Sequence, residues 1–181
     1  IVAVYGNRAY EDALLELRDI VVKAGFTPVA GAAFVGEHSF SKKAAPIAHG
    51  RPDNNDLAQA RAFGKIIRER MAQLGTLDKT SPLKVPGNFP YRERNPALKT
   101  APETDEVLCI QCKDCIAVCP VAAIVLTEEA VATDREKCLL CCACVKTCPV
   151  DARILKDSRL TQFAEKLSVS CSTRKEPEFY Q

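Results

Sequence analysis

Cys109-Ile110-Gln111-Cys112-Lys113-Asp114-Cys115-Ile116-Ala117-Val118-Cys119-Pro120 is answered, 29 residues on, by Cys138-Leu139-Leu140-Cys141-Cys142-Ala143-Cys144-Val145-Lys146-Thr147-Cys148-Pro149. Both runs read C-x2-C-x2-C-x3-C-P, a spacing that serves iron–sulfur ligation. A thiolate at every third residue lets a short loop supply three corners of an iron–sulfur cube. The fourth cysteine, next to proline, ligates the other cluster when two runs are present. The spacing therefore predicts one [4Fe–4S] cluster on Cys109, Cys112, Cys115 and Cys148, and a second on Cys138, Cys141, Cys144 and Cys119.

Two other uses of cysteine compete with this reading. Zinc takes four thiolates and favours C-x2-C pairs. It normally uses two separated pairs, however, and has no need of a third cysteine plus Cys-Pro in each run. A disulfide framework fits worse, because eight of the ten cysteines stand in metal-type spacing. A chain of 181 residues can also build a core without staples. Of the two cysteines left over, Cys142 follows ligand Cys141 directly and reads as a small buried side chain. Cys171 reads as a free thiol in the C-terminal tail.

Composition argues for a soluble chain of one or two domains: 47% of residues are hydrophobic, and no apolar run is long enough to span a bilayer. The absence of an initial targeting segment and the oxygen sensitivity of such clusters lead us to expect a reduced, cytoplasmic protein. Charge is unevenly spread. Residues 105–155 hold 5 Lys/Arg against 8 Asp/Glu, whereas residues 1–74 hold 10 against 8. An acidic cysteine module suits a redox partner that docks through a basic patch. The basic residues are scattered, which argues against nucleic acid.

Taken in order, Ile1 to Gly6 reads as a buried strand running into a turn. Asn7 can cap a helix carrying Tyr10, Ala13, Leu14, Leu17, Ile20, Val21 and Ala24 at helical spacing, closed by Gly25. A second strand is expected within Phe26 to Phe34, and strand–helix–strand at this length implies parallel pairing. A polar loop from Val35 to Pro52 follows, with His38 and His49 read as loop-surface residues. The next helix begins at Asp53, with Asp56 completing a capping box. Its stripe of Leu57, Ala60, Phe63, Ile67, Met71 and Leu74 is expected to be core, and Gly75 to end it. Residues 75–104 contain Pro82, Pro86, Pro90, Pro96 and Pro102 and read as an extended linker, in which Tyr91 to Arg94 read as solvated. In the cysteine module, 105–155, short strands are expected at Val107-Leu108, Ile124–Leu126, Val131-Ala132 and Ile154-Leu155. Helical turns are expected at Cys115–Cys119 and Cys144–Cys148, with Ile110, Ile116, Val121, Leu139, Val145 and Val150 as apolar lining. Residues 156–181 read as an amphipathic helix, Ser158 to Leu167, and an extended tail.

Several of these stretches carry a resemblance. Val4-Tyr5-Gly6-Asn7-Arg8, Gly36-Glu37-His38-Ser39-Phe40-Ser41, Arg51-Pro52, both cysteine runs and Cys171-Ser172-Thr173-Arg174-Lys175-Glu176-Pro177-Glu178-Phe179 resemble the C-terminal part of flavodoxin–ferredoxin fusion proteins. The resemblance spans nearly the whole sequence. It implies an α/β, partial flavodoxin-like region of βαβα order over 1–74, followed by a small α+β ferredoxin-like domain with two [4Fe–4S] clusters of low potential. It also implies that Tyr5 flanks an FMN ring, with Gly6 and Asn7 along the ring's polar edge. The residues themselves read equally well as a strand-end turn with an Asn cap. Flavodoxins hold the flavin phosphate in a Ser/Thr- and Gly-rich loop after the first strand, and residues 1–74 contain no such loop. All-parallel sheets are normally covered on both faces. Residues 1–74 are thus expected to be part of a larger α/β unit and to expose apolar surface on their own. The leading expectation is an electron carrier with no catalytic residue; the alternative is an FMN-dependent oxidoreductase fed by the clusters.

Overall fold

The computed structural model describes residues 1–73, 82–93, 98–128 and 130–181. In chain order its elements are β1 (Val2–Tyr5), α1 (Ala13–Lys23), β2 (Gly31–Val35), α2 (Asn54–Gln73), β3 (Glu103–Thr104), α3 (Asp114–Ala117), β4 (Ile124–Leu126), β5 (Val131–Thr133), α4 (Ala143–Thr147), β6 (Arg153–Ile154), α5 (Ser158–Ser170) and β7 (Glu178–Tyr180). The chain divides into two compact units. One comprises Ile1–His38, Pro46–Arg94 and Ser170–Gln181; the other comprises Ser39–Ala45 and Asn95–Val169. Each unit recruits a segment remote in sequence.

In the first unit β1 and β2 are parallel, with Val2 opposite Ala32 and Tyr5 opposite Val35. The expected βαβ pairing is present. The strand begins later than expected, at Gly31 rather than near Phe26. Ala32, Ala33 and Val35 are buried, as is Leu14 on α1, so small residues let helix and sheet approach closely. The C-terminal tail is not simply extended: β7 adds to β2 antiparallel, with Phe179 opposite Ala32. Phe179 then packs edge-on against Phe34 and at a tilt against Phe63 of α2. Val2 and Val4 are exposed, so β1 is not the buried strand that its apolar run suggests, and Ile20 and Phe26 are exposed as well. The α2 stripe is not core, since Leu57 and Met71 are exposed and Asp56 is the buried residue of that helix. The expected roles of Leu74, Gly75, Arg94 and Pro96 lie outside the described residues.

Two polar knots explain why the tail and the proline-rich segment belong to this unit. Asp12 accepts hydrogen bonds from the Asn88 N–H at 2.7 Å and the Arg92 N–H at 2.8 Å. Tyr91 donates to Asp19 at 2.6 Å, so it is tethered rather than free in solvent. Gly87 lies so close to α1 that a Cβ there would fall 2.6 Å from the Leu15 Cβ. In the second knot, Arg51 donates two hydrogen bonds to Asp56 and two more to the Lys175 carbonyl, at 3.2 and 3.1 Å. Asp53 caps α2 by accepting from the Asn55 and Asp56 N–H groups, and Asp56 accepts from the Asp53 N–H in return. That is the expected reciprocal box. Arg174 closes the knot on Asp53 at 2.6 Å.

The second unit is built from two short antiparallel pairs, β3 with β6 and β4 with β5. Val107-Leu108 is not a strand; the chain pairs a few residues earlier, at Glu103-Thr104. The core is small, formed by Cys115, Ile124, Val131 and Cys144, with Ile116 and Val145 packed against it. The helix α5 runs past Leu167 to Ser170 and buries Leu160, Ala164 and Leu167.

Asp56 is fully buried beside Arg51, and removing one partner of a buried pair costs about 3–5 kcal/mol. Urea unfolding of Asp56→Ala is expected to show that loss. Hydrogen bonds from Arg51 hold the Asp56 carboxyl below its ordinary pKa of 3.8. Its contribution is thus complete above that value and disappears as pH falls through the lower, folded-state pKa. Asp56→Asn should flatten this acid limb.

Candidate metal centre

The sequence repeat is also a backbone repeat. Gln111 and Leu140 have φ of 55° and 54°, Lys113 and Cys142 of 68° and 55°, and Ala122 and Asp151 of 48° and 52°. These are left-handed positions occupied by residues other than glycine, each pair separated by the same 29 residues. Left-handed Lys113 and Cys142 stand immediately before the right-handed turns α3 and α4. Such alternation gathers successive backbone N–H groups into a concavity that suits an anion, a device found at iron–sulfur sites. Tight left-handed corners also bring cysteines three residues apart around a common space.

Two cavities result. One is lined by Cys119, Cys138, Cys141 and Cys144, with Cys142, Ile124 and Leu139. The other is lined by Cys109, Cys112, Cys115 and Cys148, with Ile110, Val131 and Arg153. Leaving aside Cys142, each cavity thus draws three cysteines from one run and the fourth from the other. Among the described residues no group of three or more His, Cys, Asp or Glu could hold a lone metal ion. A four-iron core makes a different demand, because it spreads its thiolates over separate irons and needs cysteines around the wall of a cavity. The donor sets here fit that demand.

Hydrogen bonds to sulfur follow the repeat. The Ala123 N–H donates to Cys119 Sγ and the Ala152 N–H to Cys148 Sγ, both at 3.2 Å. The Leu140 N–H reaches Cys138 Sγ at 3.4 Å. Donors of this kind stabilise negative charge on sulfur. Burial pushes the Cys115 and Cys144 thiols up, and the charge of Arg153 opposes this at both. Ile110 and Leu139 are largely exposed even though they border the cavities, so the apolar lining is thinner than expected.

The residues outside these sets have other roles. Cys142 is buried, donates weakly to the Leu140 carbonyl at 3.6 Å and has its thiol pushed up to about 12, chiefly by burial. It is the small interior residue expected from sequence. Tyr5 packs edge-on against Tyr10. Gly6 leaves no room for a side chain, since a Cβ there would meet the His38 ring. Asn7 does not cap α1, which begins after Asp12. Its side chain instead donates to the Cys171 and Thr173 carbonyls at 2.7 and 2.8 Å and accepts from the Lys175 N–H at 3.2 Å. All of the Asn7 amide's bonding is thereby directed at the tail. His49 is exposed and pairs with Glu37 at 3.3 Å. Arg153 went unnoticed in the sequence: a lone arginine after Cys-Pro-Val-Asp-Ala carries no pattern, and only its burial marks it out.

Residues 101–159 match the family model described as a 4Fe-4S dicluster domain. This part of the chain is a ferredoxin-like 4Fe–4S domain, and iron–sulfur binding is its cofactor chemistry. No curated protein matches the chain. No helix among the described residues is long and apolar enough to cross a membrane.

The Cys142 thiol makes only one weak hydrogen bond, so Cys142→Ala is expected to retain full iron content and to lose no more than about 1–2 kcal/mol. Iron per chain and thermal unfolding of the holoprotein check this. A fall in iron equal to a whole cluster would make Cys142 a ligand.

Proposed function

We propose that the chain carries single electrons through two [4Fe–4S] clusters, one in each cavity. The observation that carries this reading is the lining of the cavities: beside the interior Cys142, each has four cysteines in its wall, three from one run and one from the other. On this reading Cys109, Cys112, Cys115 and Cys148 hold one cluster, and Cys138, Cys141, Cys144 and Cys119 the other. The clusters supply one-electron redox chemistry. The protein's own residues fix the thiolates, donate hydrogen bonds to Cys119, Cys138 and Cys148, and exclude water from the inner walls through Ile124 and Val131. A redox partner that docks through a basic patch belongs to the same reading, because residues 105–155 are rich in Asp and Glu. A reducing, cytoplasmic setting does too.

Anaerobically purified protein should contain about eight irons and eight acid-labile sulfides per chain, the content of two four-iron clusters. Zinc in their place would overturn the proposal, and flavin released from the same sample would support the FMN alternative at Tyr5, Gly6 and Asn7. The crossed ligation has its own test. Cys119→Ala should remove the electron paramagnetic resonance signal of the cluster held by Cys138, Cys141 and Cys144 and spare the other. The reverse pattern would assign each run its own cluster.

A further inference from the structure

Arg153 is 2% exposed, yet among the described residues no carboxylate pairs with it. Its guanidinium is held by neutral groups: Nη1 donates to Thr104 Oγ1 at 2.5 Å, and Nη2 to Thr133 Oγ1 at 2.6 Å and the Pro102 carbonyl at 2.9 Å. Nε is buried and has no protein partner. A buried cation without a counter-charge is strongly disfavoured. Every other polar contact of this side chain fixes where the charge sits without neutralising it.

Arg153 also stands between the two cysteine sets. Its side chain lines the cavity of Cys109, Cys112, Cys115 and Cys148. Its Nη2 lies 4.0 Å from Cys144 Sγ, a member of the other set. A four-iron core on four thiolates is an anion, and it gains a further negative charge when it accepts an electron. A fixed cation inside the protein therefore favours the reduced form, and more strongly than a surface charge would because solvent screens it less.

We propose that Arg153 is the buried counter-cation shared by both clusters, and that it raises both reduction potentials. This rests on the two-cluster reading, with the unpaired Nε–H as the donor left over for cluster sulfur. The clusters in turn supply the negative charge that makes a buried arginine tolerable.

The test is an anaerobic redox titration of the full-length holoprotein, followed by electron paramagnetic resonance, for the parent, Arg153→Gln and Arg153→Lys. Gln keeps polar contacts but removes the charge. Both clusters in Arg153→Gln should become harder to reduce by a factor of about ten or more, which is about 59 mV for a one-electron couple. Arg153→Lys keeps the charge and should shift each cluster by less than half as much. Unchanged potentials in a fully loaded Arg153→Gln protein would overturn the inference, as would a shift confined to one cluster. If Arg153→Gln fails to hold iron, Arg153→Lys decides: normal loading supports the role of charge, and loss of iron assigns Arg153 to packing alone. The parent protein separates the two levels, since iron for a single cluster there would defeat the two-cluster reading before any variant is considered.

Discussion

The second unit depends on one constraint, that each cavity is walled by both cysteine runs. Cys148 joins Cys109, Cys112 and Cys115, while Cys119 joins Cys138, Cys141 and Cys144. Under the proposed ligation neither run completes a donor set alone, so the two must be held in fixed register. The protein part of that register is slight: two-residue and three-residue strand pairs and, between the cysteine runs, a cluster of four buried residues, two of them cysteines. A fold with so few apolar contacts gains much from cross-linking by metal. The left-handed corners at Lys113 and Cys142 point the same way. Each costs conformational energy, and their recurrence at the same place in both runs suits the proposed ligation.

The polar groups around the cavities divide the work between local and shared. Cys119 and Cys148 each accept a hydrogen bond from the N–H four residues later, and each run thereby dresses its own outgoing cysteine. Arg153 is different. It lies outside the repeat, since the residue 29 positions earlier is Ile124, an apolar member of the core. The internal symmetry of the module is thus broken at one buried position, where one half supplies a methyl-bearing side chain and the other a charge. Thr104, Thr133 and Pro102 serve this arginine, which gives β3 and β5 a role beyond covering the core.

What could be read in the sequence depended on periodicity. The cysteine spacing, the strands at 124–126 and 131–132 and, to within one or two residues, the helical turns at 115–119 and 144–148 were legible, because each rests on residues within a few positions of one another. Boundaries failed where a distant segment intervened. Asn7 looks like a helix cap in local context, but its amide is taken by carbonyls more than 160 positions away. The apolar stripe on α2 has the right period and still stays partly exposed, with Phe63 packed against the Phe179 ring of the tail strand. Proline punctuation around Pro86 and Pro90 suggested a free linker, and nothing local reveals that Asp12 waits to accept two of its N–H groups. Arg153 was illegible for the plainest reason: one charged residue has no period, and its meaning comes entirely from burial.

The same long reach shapes how the chain must assemble. The second unit is built mostly from contacts within residues 98–169, with Ser39–Ala45 as its one distant recruit. The first unit cannot close until the last residues exist, because β7 pairs with β2 and the Asn7, Arg51 and Asp53 side chains all bond to residues 171–175. Contacts of such sequence separation form late, since loop closure must precede the reward. Arg51 and Asp56 therefore have a place in the order of events as well as in the final structure. They are close in sequence and can pair early, which leaves a pre-set cation on which the Lys175 carbonyl can dock. A tail that fastens onto prepared polar anchors needs little apolar area of its own, and that suits a segment whose only large apolar contact is Phe179.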